Sequence, residues 1–290
     1  MSKFISNYII SETERLAPDV FSMTIEAPDI ADEARAGQFV SLYLNDSSHI
    51  LPRPISICEI NKPSDELPGE KPAKNIKSTG TIRLVYRIAG YGTEVFSHMA
   101  PGSFIRTMGP LGNGFPVEDN INKKNVILIG GGIGIPPMLA VARQIRDTED
   151  QDNKHRIITS VGYRDRHIFL SDELSELSDN LLTATDDGSV GTHGNVIDAL
   201  NGALKGENEP DRGDSVIYAC GPIPMLRGVR DWGEKHGIPT WISMEERMAC
   251  GIGACLGCVC KTKETDGHSL VKNARVCADG PVFRAEDIEL

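Results

Sequence analysis

Asn125-Val126-Ile127-Leu128-Ile129-Gly130-Gly131-Gly132-Ile133-Gly134-Ile135-Pro136-Pro137 is the stretch that decides the fold. Val126–Ile129 is a short apolar run of the kind a buried parallel strand needs, and it ends directly in glycines. From Pro136 to Arg146 the chain reads as a helix, with Met138, Leu139, Ala142 and Ile145 on one face. Proline suits the start of that helix, because the first turn has no intrahelical partner for its N–H. Further strands are expected at Ile157–Tyr163, Leu181–Thr185, Ser215–Ala219 and Thr240–Met244. Helices are expected between most of them, including Asn195–Leu204 and Ile223–Lys235. Strands alternating with helices mean a parallel α/β sheet.

Upstream, the pattern differs. Short apolar runs at Val20–Ile25, Gln38–Leu44, Pro54–Ile60, Thr81–Ile88 and Gly102–Met108 are separated by Gly, Pro, Asn and Asp turn residues, as in a small antiparallel β-barrel. The Pro-, Lys- and Glu-rich stretch Asn61–Gly80 reads as a solvated loop. Downstream of Met244 the chain becomes rich in Cys and Gly. The expected organisation is therefore multidomain: a β-barrel over 1–118, an α/β parallel-sheet domain over 119–244 and a small C-terminal module over 245–290.

The 290 residues carry a net charge of −11, which argues against nucleic acid as a partner, since a phosphate backbone needs a basic footprint. No apolar run approaches the ~18 residues that span a bilayer, and the N-terminus lacks a basic region followed by a long apolar stretch. The expectation is a cytoplasmic protein with no membrane partner. Of the seven cysteines, Cys250, Cys255, Cys258 and Cys260 crowd together. An odd total clustered in this way fits metal ligation in a reducing compartment better than a disulfide framework.

Cys250-x4-Cys255-x2-Cys258, then 18 residues and Cys277, has the plant-type spacing of a [2Fe–2S] ligand loop. Gly251, Gly253, Ala254 and Gly257 are small enough for the backbone to wrap closely and aim its amides at sulfur. The competing reading, a structural zinc site, wants two paired Cys-x2-4-Cys units, and the second half here supplies one well-spaced cysteine. Cys260, two residues past a ligand, reads as a bystander.

The glycine turn Gly130, Gly131, Gly132 and Gly134 lies between a strand and a helix. There a pyrophosphate can approach the backbone, and the helix N-terminus offers free amides. It is not the Gly-x-Gly-x-x-Gly fingerprint with its acidic residue. Cys220-Gly221-Pro222 occupies the same position after a later strand, so both turns should line one crevice at the carboxyl ends of the sheet. Cys220 could equally be a small buried hydrophobe. In the barrel, Arg53-Pro54-Ile55-Ser56 and Gly90-Tyr91-Gly92-Thr93 could each hold a phosphate, through the Arg53 guanidinium and the Gly92–Thr93 amides. On residues alone they could also be a surface arginine and a turn.

Together these motifs resemble the ferredoxin–NADP reductase superfamily. Within it, Met244-Glu245-Glu246-Arg247-Met248-Ala249-Cys250-Gly251-Ile252-Gly253-Ala254-Cys255 and Val276-Cys277-Ala278-Asp279-Gly280-Pro281-Val282-Phe283 resemble the electron-transfer subunits of NAD-dependent dihydroorotate dehydrogenase B. The resemblance spans essentially the whole chain. It implies FAD on the barrel, near Arg53, Pro54, Ile55 and Ser56, with Val85, Tyr86 and Arg87 from the next strand and Gly92 and Thr93 at the pyrophosphate. It implies NAD(H) against Gly130–Gly134 and Cys220–Pro222, and a [2Fe–2S] cluster on Cys250, Cys255, Cys258 and Cys277. His193 and the Asn61–Gly80 loop depart from the pattern without touching these positions.

The function implied is electron transfer in pyrimidine biosynthesis. Electrons would come from a dihydroorotate-oxidising FMN partner subunit and pass through the cluster and FAD to NAD+, in a heterotetramer of two plus two subunits. Cofactors carry this chemistry, so no general acid or base is expected. The runner-up is a subunit of a ferredoxin-linked or sulfide-linked NAD(P)H oxidoreductase. Those relatives typically place aspartate at the first cluster position, where this chain has Cys250. A zinc-binding interaction module is the reading from another class. NAD against NADP stays open on residues alone, because Arg164 and Arg166 could hold a 2′-phosphate or form a solvated pair.

Overall fold

The fold was read from a computed structural model, which describes residues 2–46, 48–63, 79–150, 154–206, 210–265 and 270–290. Six antiparallel strands close the N-terminal barrel: β1 (Phe4–Ala17), β2 (Val20–Glu26), β3 (Phe39–Tyr43), β4 (Arg53–Asn61), β5 (Thr81–Arg87) and β6 (Phe104–Leu111). Their order around the barrel is β1-β2-β5-β4-β3-β6. Alternation sends Ile57 on β4, Leu84 and Tyr86 on β5, and Val40 and Leu42 on β3 into one apolar interior. Helix α1 (Pro28–Glu33) contributes Ile30 and Ala31 to it, and helix α2 (Tyr91–Ser97) contributes Phe96.

The longest strand, β1, is absent from the sequence expectations. Its inward signal is confined to Tyr8 and Ile10, and register shifts at Ile10/Glu12 and Arg15/Ala17 break the alternation further along. The Asn61–Gly80 stretch, expected to be a loop, lies mostly outside the described residues.

The second half is the expected parallel sheet. Its elements are β7 (Asn125–Gly131), α3 (Ile135–Asp147), β8 (Arg156–Tyr163), α4 (Ser171–Leu177), β9 (Asn180–Thr185), β10 (Thr192–His193), α5 (Val196–Ala203), β11 (Ser215–Cys220), α6 (Ile223–His236) and β12 (Thr240–Ser243). The order is β10-β9-β8-β7-β11-β12, so the winding reverses between β7 and β11. That reversal opens a crevice at the carboxyl ends of those two strands. Their register pairs Cys220 with Gly130, which puts both glycine turns at the same height.

The C-terminal segment does not stand apart from this sheet. After the hairpin β13 (Val259–Lys261) and β14 (Asn273–Arg275), strand β15 (Val282–Arg284) pairs antiparallel with β12 as the seventh strand. Asn113, just past β6, ties the barrel to the same segment: its side chain donates to the Asp279 and Val282 carbonyls and accepts from the Val282 amide at 3.0 Å. Buried Phe39 and Leu111 of the barrel share a core with Cys258, Val276 and Cys277.

Barrel and sheet are joined by a charged latch over buried Cys58. Arg83 pairs with Glu173 on α4 and lies 3.7 Å from Glu59, while Arg143 on α3 lies 3.5 Å from Glu59. Burial pushes the Cys58 thiol far above its ordinary range, so it stays a neutral packing group. No helix among the described residues is long and apolar enough to cross a membrane.

Candidate functional site

The crevice at the switch between β7 and β11 is a cavity of about 1010 Å³. Gly131, Gly132, Pro222 and Met225 form its sheet side, and Asp19, Val20 and Arg87 its barrel side. The other predicted crevice residues act by what they lack. A Cβ on Gly134 would fall on the Cys220 carbonyl, and one on Gly130 would press on Ile135 at 3.0 Å. These two glycines therefore seat the turn and the start of α3 tightly against β11, Gly131 lets Met225 of α6 pack close on the turn, and Gly132 faces the open space. Gly132 holds φ +54, a conformation that costs a side chain strain. Cys220 is buried among apolar side chains. Burial first, then the charge of Glu245, raises its thiol. Its thiol is therefore neutral and packed.

Sequence reasoning missed two polar groups on the crevice wall. Asp19, in the turn from β1 to β2, lies 3.0 Å from Arg87 Nε, near enough for an ion pair but off the line of a hydrogen bond. Glu245, just past β12, is ringed by protein, and solvent reaches it through the crevice. Burial pushes its carboxyl up and Arg87 draws it back. Arg164 also reaches the wall, beside Asp165 and Asp186, whereas Arg166 is exposed and not on it.

On the barrel, Arg53 and the start of α2 converge although 39 positions separate Arg53 from Gly92. The guanidinium occupies the space a Gly92 side chain would fill, and Arg53 Nη1 donates to the Leu51 carbonyl. Thr93 accepts from the Ala89 amide at 2.9 Å and so fixes the turn. The strand alternation divides the remaining predicted residues. Val85 and Arg87 face outward, and Pro54 and Ser56 share the outer side of β4. Ile55 and Tyr86 turn inward, with Tyr86 edge-on to Phe96, so only their main chains can serve a cofactor on the outer wall.

The third cluster of residues lies over β3 and β6. Five backbone amides point at cysteine sulfurs: Ile252 and Ala254 toward Cys250 at 3.5 and 3.3 Å, Gly257 toward Cys255 at 3.4 Å, Gly253 toward Cys277 at 3.1 Å and Cys277 toward Cys258 at 3.4 Å. Gly251 and Gly253 reach this arrangement at φ +68 and +83. Arg275 braces the loop by donating to the Gly253 carbonyl while gripping Asp279 at 2.7 Å.

Cys255 perturbs Cys250, as Cys258 does Cys277, and the charge of Cys250 reaches Cys277 as well. Burial opposes ionisation of Cys250, but the amides of Ile252, Cys255 and Ala254 outweigh it and bring the thiol down to about 6, into the ligand form. Two pairs with converging amides suit a binuclear iron–sulfur cluster, two thiolates to each iron. A single zinc ion wants four ligands around one point. Cys260 lies opposite Ala274 in the β13–β14 hairpin and packs into the apolar core.

Comparison with known proteins bears on both regions. Residues 245–289 match the model of the iron–sulfur cluster binding domain of dihydroorotate dehydrogenase B, and residues 128–231 match an oxidoreductase NAD-binding domain. The dihydroorotate dehydrogenase B (NAD(+)) electron transfer subunit of Streptococcus pneumoniae is 35% identical over 96% of this chain and 95% of its own length. Those of Fusobacterium nucleatum and Listeria monocytogenes are 36% and 38% identical, over 99% and 97% of each chain. The chain belongs to the dihydroorotate dehydrogenase B electron transfer subunit family.

The fold agrees. A chain of an NADH-dependent reduced ferredoxin–NADP oxidoreductase superposes with a TM-score of 0.77 at 28% identity, covering 98% of this chain and 90% of that one. A ferredoxin NADP+ reductase from Neisseria gonorrhoeae superposes with a TM-score of 0.63 over 84% of this chain and 94% of that one, at 16% identity, a likeness of fold. As a member of this family the chain is an NAD-linked electron-transfer oxidoreductase subunit with an iron–sulfur domain.

Proposed function

We propose that this chain, with FAD on its barrel, takes single electrons from a dihydroorotate-oxidising FMN subunit through a [2Fe–2S] cluster and passes them to NAD+, in a cytoplasmic heterotetramer of two plus two subunits. The observation that carries this reading is the order of the sites around one wall. Along β5, β4, β3 and β6 come Arg87 at the crevice, Arg53 to Ser56 on the next strand, and then the cysteine loop against Ser41 and Met108. When bound, an iron–sulfur cluster passes one electron at a time, FAD exchanges one or two, and NAD+ accepts a hydride.

The chain's residues bind and orient these groups. Cys250, Cys255, Cys258 and Cys277 hold the cluster as two pairs. Arg53, Gly92 and Thr93 would hold the FAD phosphates, and Pro54, Ser56, Val85 and Arg87 would line the flavin site, with Ile55 and Tyr86 contributing main chain alone. Gly131, Gly132 and Pro222 admit the dinucleotide, while Gly130, Gly134, Cys220 and Gly221 shape its turn. We assign 1–118 to FAD, 119–244 to NAD and 245–290 to the cluster. No catalytic acid or base is assigned. Exposed Ile252 and Leu256 flank exposed Cys255 and suit a partner docking at the cluster.

Purified holoprotein mixed with a dihydroorotate-oxidising subunit tests the reading: NADH-dependent orotate reduction is expected, and its absence with both subunits loaded would refute it. Replacing Arg53 with alanine tests the phosphate assignment. We expect FAD to dissociate roughly tenfold or more faster, as losing a charge-assisted contact implies, measured by flavin fluorescence after dilution.

A further inference from the structure

Ser41 is the odd residue of the outer barrel wall. Its side chain is fully buried, and its hydroxyl has no hydrogen-bond partner. Buried hydroxyls are almost always paired, because an unpaired one forfeits the hydrogen bonds it made to water. The location is informative. On β3 it lies directly opposite Pro54 on one side and Met108 on the other. The cysteine loop covers it: a Cβ built on Gly251 would stand 2.9 Å from Ser41 Oγ, 3.3 Å from a Leu111 methyl and 3.6 Å from the Met108 methyl. The Leu111 and Met108 methyls there accept nothing, and the Met108 sulfur takes the Tyr43 hydroxyl at 3.8 Å. The Cys250 sulfur, next in the chain to Gly251, is not a partner of Ser41, so the acceptor that loading adds is the anionic sulfur of the cluster itself.

We propose that Ser41 donates a hydrogen bond to a sulfur of the loaded cluster site and thereby raises its reduction potential. The inference rests on the cluster assignment to Cys250, Cys255, Cys258 and Cys277. A donor aimed at sulfur stabilises the reduced, more negative form more than the oxidised one. Its place between the cysteine loop and the Arg53–Ser56 strand puts that influence at the junction of the one-electron and hydride halves of the chain.

The test compares full-length holoprotein carrying Ser41, Ser41→Ala or Ser41→Thr. In Ser41→Ala the cluster midpoint, followed by EPR, should fall by about 59 mV, which is tenfold in a one-electron equilibrium. An exchangeable-proton coupling in the reduced cluster's spectrum should disappear with it. Ser41→Thr, which keeps the hydroxyl, should restore both. Denaturation gives an independent sign: with the cluster removed, Ser41→Ala should be at least as stable as the parent, because it deletes an orphan hydroxyl, whereas the loaded form should lose stability. An unchanged midpoint and an unchanged proton coupling in loaded Ser41→Ala would overturn the proposal and leave the cluster assignment standing. A parent protein without iron and sulfide would overturn both.

Discussion

Replacing Cys255 with serine removes the cluster's visible absorption and EPR signal, and lowers NADH-linked orotate reduction by roughly a hundredfold or more, since losing even an outer-shell partner of a metal site costs 10–100-fold. The position is chosen for its exposure. Cys258 and Cys277 are buried in the shared core, so serine there would disturb packing as well as ligation, whereas Cys255 stands at the surface of the loop. The fold is retained, and NADH reduction of a dye that accepts hydride equivalents at the flavin stays within about twofold of the parent, because the crevice and the barrel wall are untouched. Iron analysis, the dye assay and the orotate assay on one preparation check all three parts. Loss of dye reduction together with orotate reduction would mean that the cysteine loop supports the crevice in some other way.

The second large effect belongs to Gly134. A side chain there has nowhere to go: its Cβ would meet the Cys220 carbonyl and the Gly221 amide nitrogen, the latter at 2.6 Å, and both are backbone. Gly134→Ala therefore pushes the start of α3 away from the end of β11 and splits the crevice at the sheet's switch point. Overpacking of this kind costs about 1–3 kcal/mol of stability. The larger consequence is for NADH, whose binding surface is made of the two turns that move apart. We expect its Kd to rise roughly tenfold or more, the equivalent of about 1.4 kcal/mol, while flavin content and cluster signal are kept. Gly202→Ala on α5 is the control, since a Cβ there meets nothing within 4 Å and the residue lies off the crevice. Titrating NADH against flavin fluorescence separates the two variants.

What could be read in the chain before folding was what local pattern encodes. Val126–Ile129 followed by glycines and a proline-started helix announces its own strand, turn and helix, and the cysteine spacing announces its own ligand loop. Strand β1 escaped because its exposed, polar residues carry almost no alternation, and its pairing depends on two other strands. Strand β15 escaped because three residues say nothing until β12 is beside them. The candidate sites were legible as residue types at fixed spacing, but not in their orientation. Ile55 and Tyr86 lie within the motifs but turn their side chains into the barrel. Ser41, Asp19 and Glu245 carry no motif, and they matter through neighbours far away in sequence. Arg53 and Gly92 were each ambiguous alone, and it is their convergence that gives them a common purpose.

The central claim is that crevice, barrel wall and cysteine loop form one series within this single chain. Anaerobic stopped-flow mixing of the isolated holoprotein with NADH, following flavin and cluster absorption together, tests it most directly. The account predicts that the flavin bleaches first and the cluster follows without any partner subunit present, at a rate no slower than turnover of the full complex. A flavin that reduces while the cluster stays oxidised would contradict it.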